Sequence, residues 1–327
     1  MCLTASVIIP VYNEEKYIAN CLESLLNQSF PKDEMEILFI DGNSDDHTIS
    51  IINTLSERVP NNIKVINNPN RTQAYAMNIG IREAKGKYII RMDAHADYQE
   101  DYIQECVKIL NTGMYDNVGG IAETRARSEY GEIVALMMSS KFGVGNSQFR
   151  TSKVGGLVDT VPFGAFRRDY LEKIGGFDVR LDRNEDNEIN YRIRSNGGKI
   201  FLSPTIRFTY YCRETLNGIL QMAFQNGKWT VITSKYCPGA MSIRHIIPLA
   251  FVLSLFGMGI GGFFFPPLWF LLGLELSLYA VLDLYFSVKA TKNIKKILQL
   301  IPLFFLFHFT YGLGSIYGFC HLFKEGR

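Results

Sequence analysis

No Asp, Glu, Lys or Arg occurs between His245 and Leu274, and none again between Ile297 and Phe323. A buried helix of a soluble domain needs only about 10–14 apolar residues, whereas about 20 span a bilayer. Both runs exceed that length, so the missing charge argues against a soluble chain and for membrane attachment. Other gaps narrow the chemistry. There is no GxGxxG and no GxxxxGK[ST], which leaves out the dinucleotide fingerprint and the phosphate-cradling loop. The six cysteines are scattered without a CxxC pair for zinc or redox work, and read as free thiols in a reducing compartment. A net charge of +2 provides no basic excess, so no nucleic-acid partner is expected. No internal repeat or long low-complexity tract is visible. The opening MCLTASVIIPVYNEE has no basic leader and reads as a strand ending at Pro10 rather than a signal peptide.

What is present is an alternation of short β-rich runs with amphipathic stretches from residue 6 to residue 124. SVIIPV, MEILFID, IKVINN and KYIIRMD read as strands. Between and after them, EEKYIANCLESLLNQ and residues 45–58, 72–85 and 99–111 read as helices, the first with Ile18, Leu22, Leu25 and Leu26 on one face. Such alternation predicts an α/β fold, a Rossmann-like, mostly parallel sheet with helices on both faces. Ligands bind at the carboxyl ends of the strands in such sheets. Acidic or amide groups close three of them: Tyr12-Asn13-Glu14, DGNSDD at 41–46, and DAHAD at 93–97. Solvated turns would explain one such loop but explain three poorly. If the DAHAD backbone is extended, alternation points Asp93, His95 and Asp97 to one side, where carboxylates and an imidazole suit Mn2+ or Mg2+. Without a P-loop, a bound diphosphate would depend on that cation, with Arg71 as a helper.

In this order, SVIIPVYNE, DGNSDD, NRTQAYAMNIG, AKGKYIIRMDAHAD, GGFD and NEDNEINYRIRSNGGKI resemble the family 2 glycosyltransferases of GT-A fold over residues 6 to about 236. VPFGAFRRDYLEKIGGFD and QMAFQNGKW resemble the membrane-anchored, succinoglycan-type exopolysaccharide enzymes in particular. The resemblance implies that Pro10, Tyr12 and Glu14 border the nucleotide, that Asp41 bonds the base, and that Arg71 lies near the donor. It makes Asp93 the first carboxylate of a DxD metal motif, with His95 in place of the second Asp and Asp97 either a supplementary ligand or a solvated loop acid. It places the catalytic base in the pair Glu185-Asp186, with Asp186 chosen as base and Glu185 orienting the acceptor or a loop. Acids at a helix start can also be mere caps. QNGKW matches a QxxRW pattern except at Lys228, so Gln225, Lys228 and Trp229 would serve the acceptor or the diphosphate, against the alternative of an interfacial Trp. Arg167, in FGAFRRD with Arg168, would line the acceptor entrance, one of the two arginines being a plain surface residue.

The division expected is a cytosolic catalytic domain over 1–240 and an all-α membrane domain over 241–327. Pro266-Pro267 marks a turn, which sets spans near 246–265, 268–288 and 298–321. Lys228, Lys235 and Arg244 before the first span, and Lys289, Lys292, Lys295 and Lys296 before the last, put both basic segments in the cytoplasm. Glu275 and Asp283 share a face of the second span, which leaves an interfacial helix as the alternative there. The expected protein is an inverting, metal-dependent transferase in the cell membrane, taking a nucleotide-sugar donor and a lipid-linked saccharide acceptor. Two rivals remain, a transferase to polyprenyl phosphate and a non-catalytic membrane protein that binds nucleotides or glycans. The resemblance alone implies a UDP-linked hexose as donor; the sequence does not identify the particular sugar, the linkage or the oligomeric state.

Overall fold

The computed structural model describes residues 3–57 and 62–325. In chain order the first elements are β1 (Ala5–Val11), α1 (Ile18–Leu26), β2 (Met35–Asp41), α2 (Thr48–Ser56), β3 (Ile63–Asn67), α3 (Gln73–Glu83), β4 (Tyr88–Arg91), β5 (Ala96–Tyr98) and α4 (Tyr102–Leu110). Then come β6 (Asn117–Arg125), α5 (Glu129–Met138), α6 (Lys141–Val144), α7 (Gln148–Thr151), β7 (Gly156–Leu157), β8 (Ala165–Arg167), α8 (Arg168–Ile174), α9 (Glu185–Ser195) and β9 (Ile200–Tyr211). Four long helices follow: α10 (Leu216–Tyr236), α11 (Ile243–Gly261), α12 (Pro267–Ala290) and α13 (Ile294–Glu325). The chain divides into two compact units, residues 1–123 with 152–210, and residues 124–151 with 211–327. The boundary expected at residue 240 therefore falls inside the second unit.

The first unit is built on a sheet of order β3-β2-β1-β4-β8-β6-β9-β5, with β7 on β9. As the alternation predicts, β1 runs parallel to β2 and β4, and β2 parallel to β3. The other half is antiparallel, with β8 against β4 and β6, and β9 against β5 and β7. Every residue of β2 and β4, and all of β1 but Pro10, is buried. A strand buried on both faces needs no alternation, which is why VIIPV, ILFI and YII are unbroken apolar runs within these strands. Ile8, Ile9, Leu38, Phe39, Ile40 and Ile90 form the centre of the core, each at most 0 % exposed. Helix α3 packs on β1 at Gly80, where a Cβ would come within 2.6 Å of Ile8 Cγ2. The edge strand β3 is partly exposed.

In the second unit, α11, α12 and residues 294–322 of α13 are long and apolar enough to cross a membrane. The turn between the first two holds Pro266-Pro267, as the sequence indicates. Large apolar side chains stay exposed on α11 and α12, among them Phe256, Ile260, Phe270, Leu274 and Val281, which suits lipid rather than water. The two intramembrane acids are engaged: Ser254 donates to Glu275 at 2.6 Å, and Ser287 to buried Asp283 at 3.1 Å. Helix α10 is packed along α13 by small residues. A Cβ on Gly227 would collide with the Tyr311 carbonyl, and one on Gly314 with that of Phe224. Cys21, Cys106, Cys212 and Cys237 are buried free thiols and Cys320 an exposed one, while Cys2 lies outside the described residues.

Candidate active site

The strand order 3-2-1-4 reverses direction at the β1/β4 boundary, the place where such sheets bind ligands. Pairing of β4 with β1 stops at Ile8↔Arg91, so the chains diverge beyond Pro10 and Met92. The loops after β1 and β4 then face each other across the opening. His95 Nε2 lies 3.0 Å from Glu14 Oε2 and its Nδ1 lies 3.3 Å from Asp93 Oδ1. The His95 ring also packs on Tyr17, with centroids 4.6 Å apart.

The DAHAD segment is not one extended strand. It turns after Arg91: the His95 amide donates to Asp93 Oδ1 at 2.9 Å, and the Asp93 amide donates to the Tyr98 hydroxyl at 2.7 Å. Short Asp side chains readily cap their own backbone in this way. Asp97 sits in the separate strand β5, opposite Thr209 and exposed, so simple alternation does not align it with Asp93 and His95. Among the described residues no group of three His, Cys, Asp or Glu side chains is arranged to hold a metal. Burial acts to raise the Asp93 carboxyl, but hydrogen bonds from His95 and the charges of His95 and Arg91 outweigh it and hold the group below the usual range.

Around this centre the loop after β2 is tied to the loop after β1. Asn13 Nδ2 donates to Asp45 at 2.7 Å, the Asp45 amide to Asn13 Oδ1 at 3.0 Å, and the Glu14 amide to Thr48 Oγ1 at 2.7 Å. Asp41 is buried at the end of β2 and accepts from the Ser44 hydroxyl at 2.6 Å. Arg71 follows β3 and lies over the Tyr12 ring, 5.2 Å from its centroid, with Nη1 3.5 Å from the hydroxyl. Among the described residues, the non-glycine residues with positive φ are Asn13, Asn43, Arg71, Phe163 and Asn184. All five stand in loops, and three follow the parallel strands at this rim. Such conformations are typically held at functional sites.

Asp186 and Glu185 open α9, after Asn184 at φ 63°. The helix is anchored from below by Arg192, which pairs with Glu188 and donates to the Ile174 carbonyl at 2.6 Å. Asn78 on α3 fixes the preceding loop by bonding Phe177 through both its amide and its carbonyl, each at 2.8 Å. The two acids meet Arg91, the last residue of β4. Its Nη1 pairs with Asp186 Oδ1, and its Nη2 lies 3.2 Å from Glu185 Oε1. Burial pushes the Asp186 carboxyl up, to about 7; Arg91 opposes this, while Glu185 and Asp93 add to it. Arg91 itself is held more firmly charged than usual: burial acts against the charge, but Asp186, Glu185 and Asp93 outweigh it.

Arg91 was not among the residues expected from sequence. Its signal was the charge that interrupts the apolar run between Lys87 and Asp93. Conversely, Arg167 is placed away from this rim. It stands opposite Tyr88, at the amino end of β4, where Asp169 takes it at 2.5 Å and Asp116 at 3.7 Å. Arg168 pairs with Glu172 on the same helix at 2.8 Å. Local acids pair with both guanidiniums, and Arg167 stands at the opposite end of β4 from Asp93. Gln225, Lys228 and Trp229 belong to α10 in the second unit, where Lys228 Nζ lies 5.7 Å from the Trp229 ring and 5.6 Å from that of Tyr317.

A half-parallel sheet with acids at its switch point, joined to an antiparallel half, is the GT-A architecture. The chain is similar in fold to the mannosyltransferase PcManGT of Pyrobaculum calidifontis, solved in complex with GDP-Man and Mn2+. The TM-score is 0.67, with 19% identity, over 95% of this chain and 86% of that one. Residues 6–175 match glycosyl transferase family 2. The chain is 31% identical over 266 residues to the dolichyl N-acetyl-alpha-D-glucosaminyl phosphate 3-beta-D-2,3-diacetamido-2,3-dideoxy-beta-D-glucuronosyltransferase of Methanococcus voltae, covering 79% of this chain and 81% of that protein. It is 30% identical over 257 residues to the succinoglycan biosynthesis protein ExoA of Rhizobium meliloti (strain 1021), covering 77% and 76%. The chain belongs to glycosyl transferase family 2 and is a glycosyltransferase.

Proposed function

We propose that the protein moves one sugar, with inversion, from a nucleotide-sugar donor to a hydroxyl of a membrane-borne, polyprenyl-linked saccharide during polysaccharide synthesis. A UDP-linked hexose is the donor expected. The observation that carries this reading is the carboxylate pair Glu185-Asp186, held on Arg91 at the end of the strand that leads into Asp93. The names of the two relatives, one of a dolichyl phosphate-linked sugar and one of succinoglycan biosynthesis, support a lipid-linked acceptor and a polysaccharide product.

Asp186 takes the proton of the acceptor hydroxyl onto its free carboxylate oxygen. The acceptor oxygen forms a bond to the anomeric carbon as the bond from that carbon to the diphosphate oxygen breaks, and the configuration inverts. A carboxylate lifted to about 7 is well matched to this work, since it is both ionised and basic near neutral pH. Tyr12, Glu14, Asp41 and Arg71 line the donor side, with Asp41 offered to the base. Asp93 and His95 present a carboxylate and an imidazole 3.3 Å apart, a donor set that fits Mn2+ or Mg2+. When bound there, such a cation would supply positive charge against the leaving diphosphate. An acceptor phosphate, already ionised near pH 7, would need no base, so the Glu-Asp pair favours a sugar hydroxyl.

The three spans anchor the chain, and the basic residues Arg244, Lys289, Lys292 and Lys295 set the catalytic unit on the cytoplasmic side, where nucleotide sugars are made. The test is release of nucleoside diphosphate from a panel of nucleotide sugars, with Mn2+, Mg2+ or EDTA, by the full chain in detergent with added lipid extract. Metal-dependent release from one donor, lost in Asp93→Ala, is the result expected. No release from any donor would overturn the reading in favour of a binding protein. Transfer retained by Asp186→Asn would move the acceptor to a polyprenyl phosphate.

A further inference from the structure

Arg91 is the one residue of the site that joins the strand leading to Asp93 with the helix that carries the proposed base. Its side chain is 3 % exposed, and it engages the two carboxylates with separate nitrogens, Nη1 to Asp186 and Nη2 to Glu185 at 3.2 Å. The Phe163 ring covers the guanidinium at 5.8 Å, and Nε is buried with no hydrogen-bond partner. Holding an unshared donor and a charge out of water is unfavourable, and a buried ion pair is weak evidence for stability because apolar side chains often replace it without loss. A purely structural role therefore does not explain this guanidinium.

Its geometry does. A base must present one carboxylate oxygen to the acceptor in a fixed direction, and a planar fork holding the other oxygen sets that direction. Asp186 Oδ1 is the atom that Arg91 takes. Its Oδ2 is left for the acceptor. Glu185, held by the second nitrogen, stops the guanidinium from turning. We infer that Arg91 is the positioning residue of the transfer reaction, orienting Asp186 for proton removal and using Glu185 as its own brace. This inference rests on the transferase reading and gives Glu185 a role other than acceptor contact. The charged groups that face Asp186 are Arg91 from β4, Glu185 beside it on α9, and Asp93 beyond the end of β4.

The test compares full-chain variants in detergent, with Mn2+ and the nucleotide sugar that the wild type turns over. Arg91→Met alone would strand Glu185 as an unpaired buried charge, so Arg91→Met is combined with Glu185→Gln. Because the Arg91 charge also opposes the rise of the Asp186 carboxyl, kcat is read on the high-pH plateau of each variant. The double variant should unfold near the wild-type temperature and keep its KM for the donor, while kcat falls roughly 100-fold, the penalty of a misplaced reacting group. Arg91→Lys, which keeps the charge but not the fork, should fall between the two. Asp186→Asn in the same assay provides the reference. An unchanged kcat in the double variant, while Asp186→Asn is inactive, overturns the role of Arg91 and leaves the transferase standing. A rise in donor KM that matches the loss of kcat also overturns it, since Arg91 would then serve the donor. Full turnover by Asp186→Asn removes the base, and the assignment of Arg91 with it.

Discussion

At the scale of the residue, the site works through opposed environments of a few acids. Asp93 is pulled below the usual carboxylate range and Asp186 is pushed up to about 7, so one stays anionic while the other exchanges a proton near neutrality. The sign of the pH dependence follows. With Asp186 in its proposed role as base, active when deprotonated, kcat/KM should fall as pH drops through about 7 and level off above it, read from initial rates of diphosphate release. Asp186→Asn should lose about 10²–10⁴-fold in kcat, the usual contribution of general base catalysis. His95 offers a second test. It stands between Glu14 and Asp93, at 3.0 Å and 3.3 Å. His95→Asp would put a third carboxylate there, so without metal the melting temperature should drop. Added Mg2+ should raise it more than in the wild type, because oxygen ligands suit Mg2+ better than imidazole does. Thermal melts with and without metal read this directly. Of these roles the sequence displayed the acids at the strand ends, but it read DAHAD as extended. The Asp93 carboxylate instead caps the His95 amide and folds the segment into a turn, a local choice that the alternation of side chains does not reveal.

At the scale of the element, the parallel half was legible because doubly buried strands carry unbroken apolar runs, here VIIPV, ILFI and YII. The antiparallel half was not. Strands β5, β7 and β8 have two or three residues each, too short for any period to emerge. Helix α3 was anticipated, but its contact was not: Gly80 sits on Ile8 of β1 with no room for a Cβ. Gly80→Ala should destabilise the protein by about 1–3 kcal/mol through overpacking, even though alanine is the better helix former. A thermal or denaturant melt decides between the two effects, since propensity alone predicts a gain. Arg167 teaches the same lesson from the other side. Its motif suggested a substrate entrance, whereas the register of β8 on β4 carries it to the amino end of the sheet, where Asp169 and Asp116 neutralise it.

At the scale of the whole molecule, the charge-free runs announced the membrane helices and the turn at Pro266-Pro267. They did not announce that α10 belongs with them. Gly227 touches the Tyr311 segment of α13, Thr230 shares a 2.6 Å hydrogen bond with the Tyr311 hydroxyl, and Ser315 donates to the Gly227 carbonyl at 3.2 Å. A chain cut after Ala240 would keep α10 and lose α13, exposing Val231, which is buried with Gly318 of α13 against it. Such a truncation should aggregate when produced without detergent, as judged by size-exclusion chromatography, while the full chain in detergent stays monodisperse.

By itself the sequence determined what depends on neighbours along the chain: apolar runs that must be buried or in lipid, helices with one apolar face, and acids clustered where strands stop. Only the tertiary structure decided which distant groups meet. Arg91 reaches Glu185 and Asp186 across 94 and 95 residues, and the packing that brings them together, more than any local motif, is what buries Asp186 and lifts its carboxyl. The physical reason is that burial and charge proximity set a carboxylate's affinity for its proton. Both are properties of packed neighbours rather than of adjacent letters.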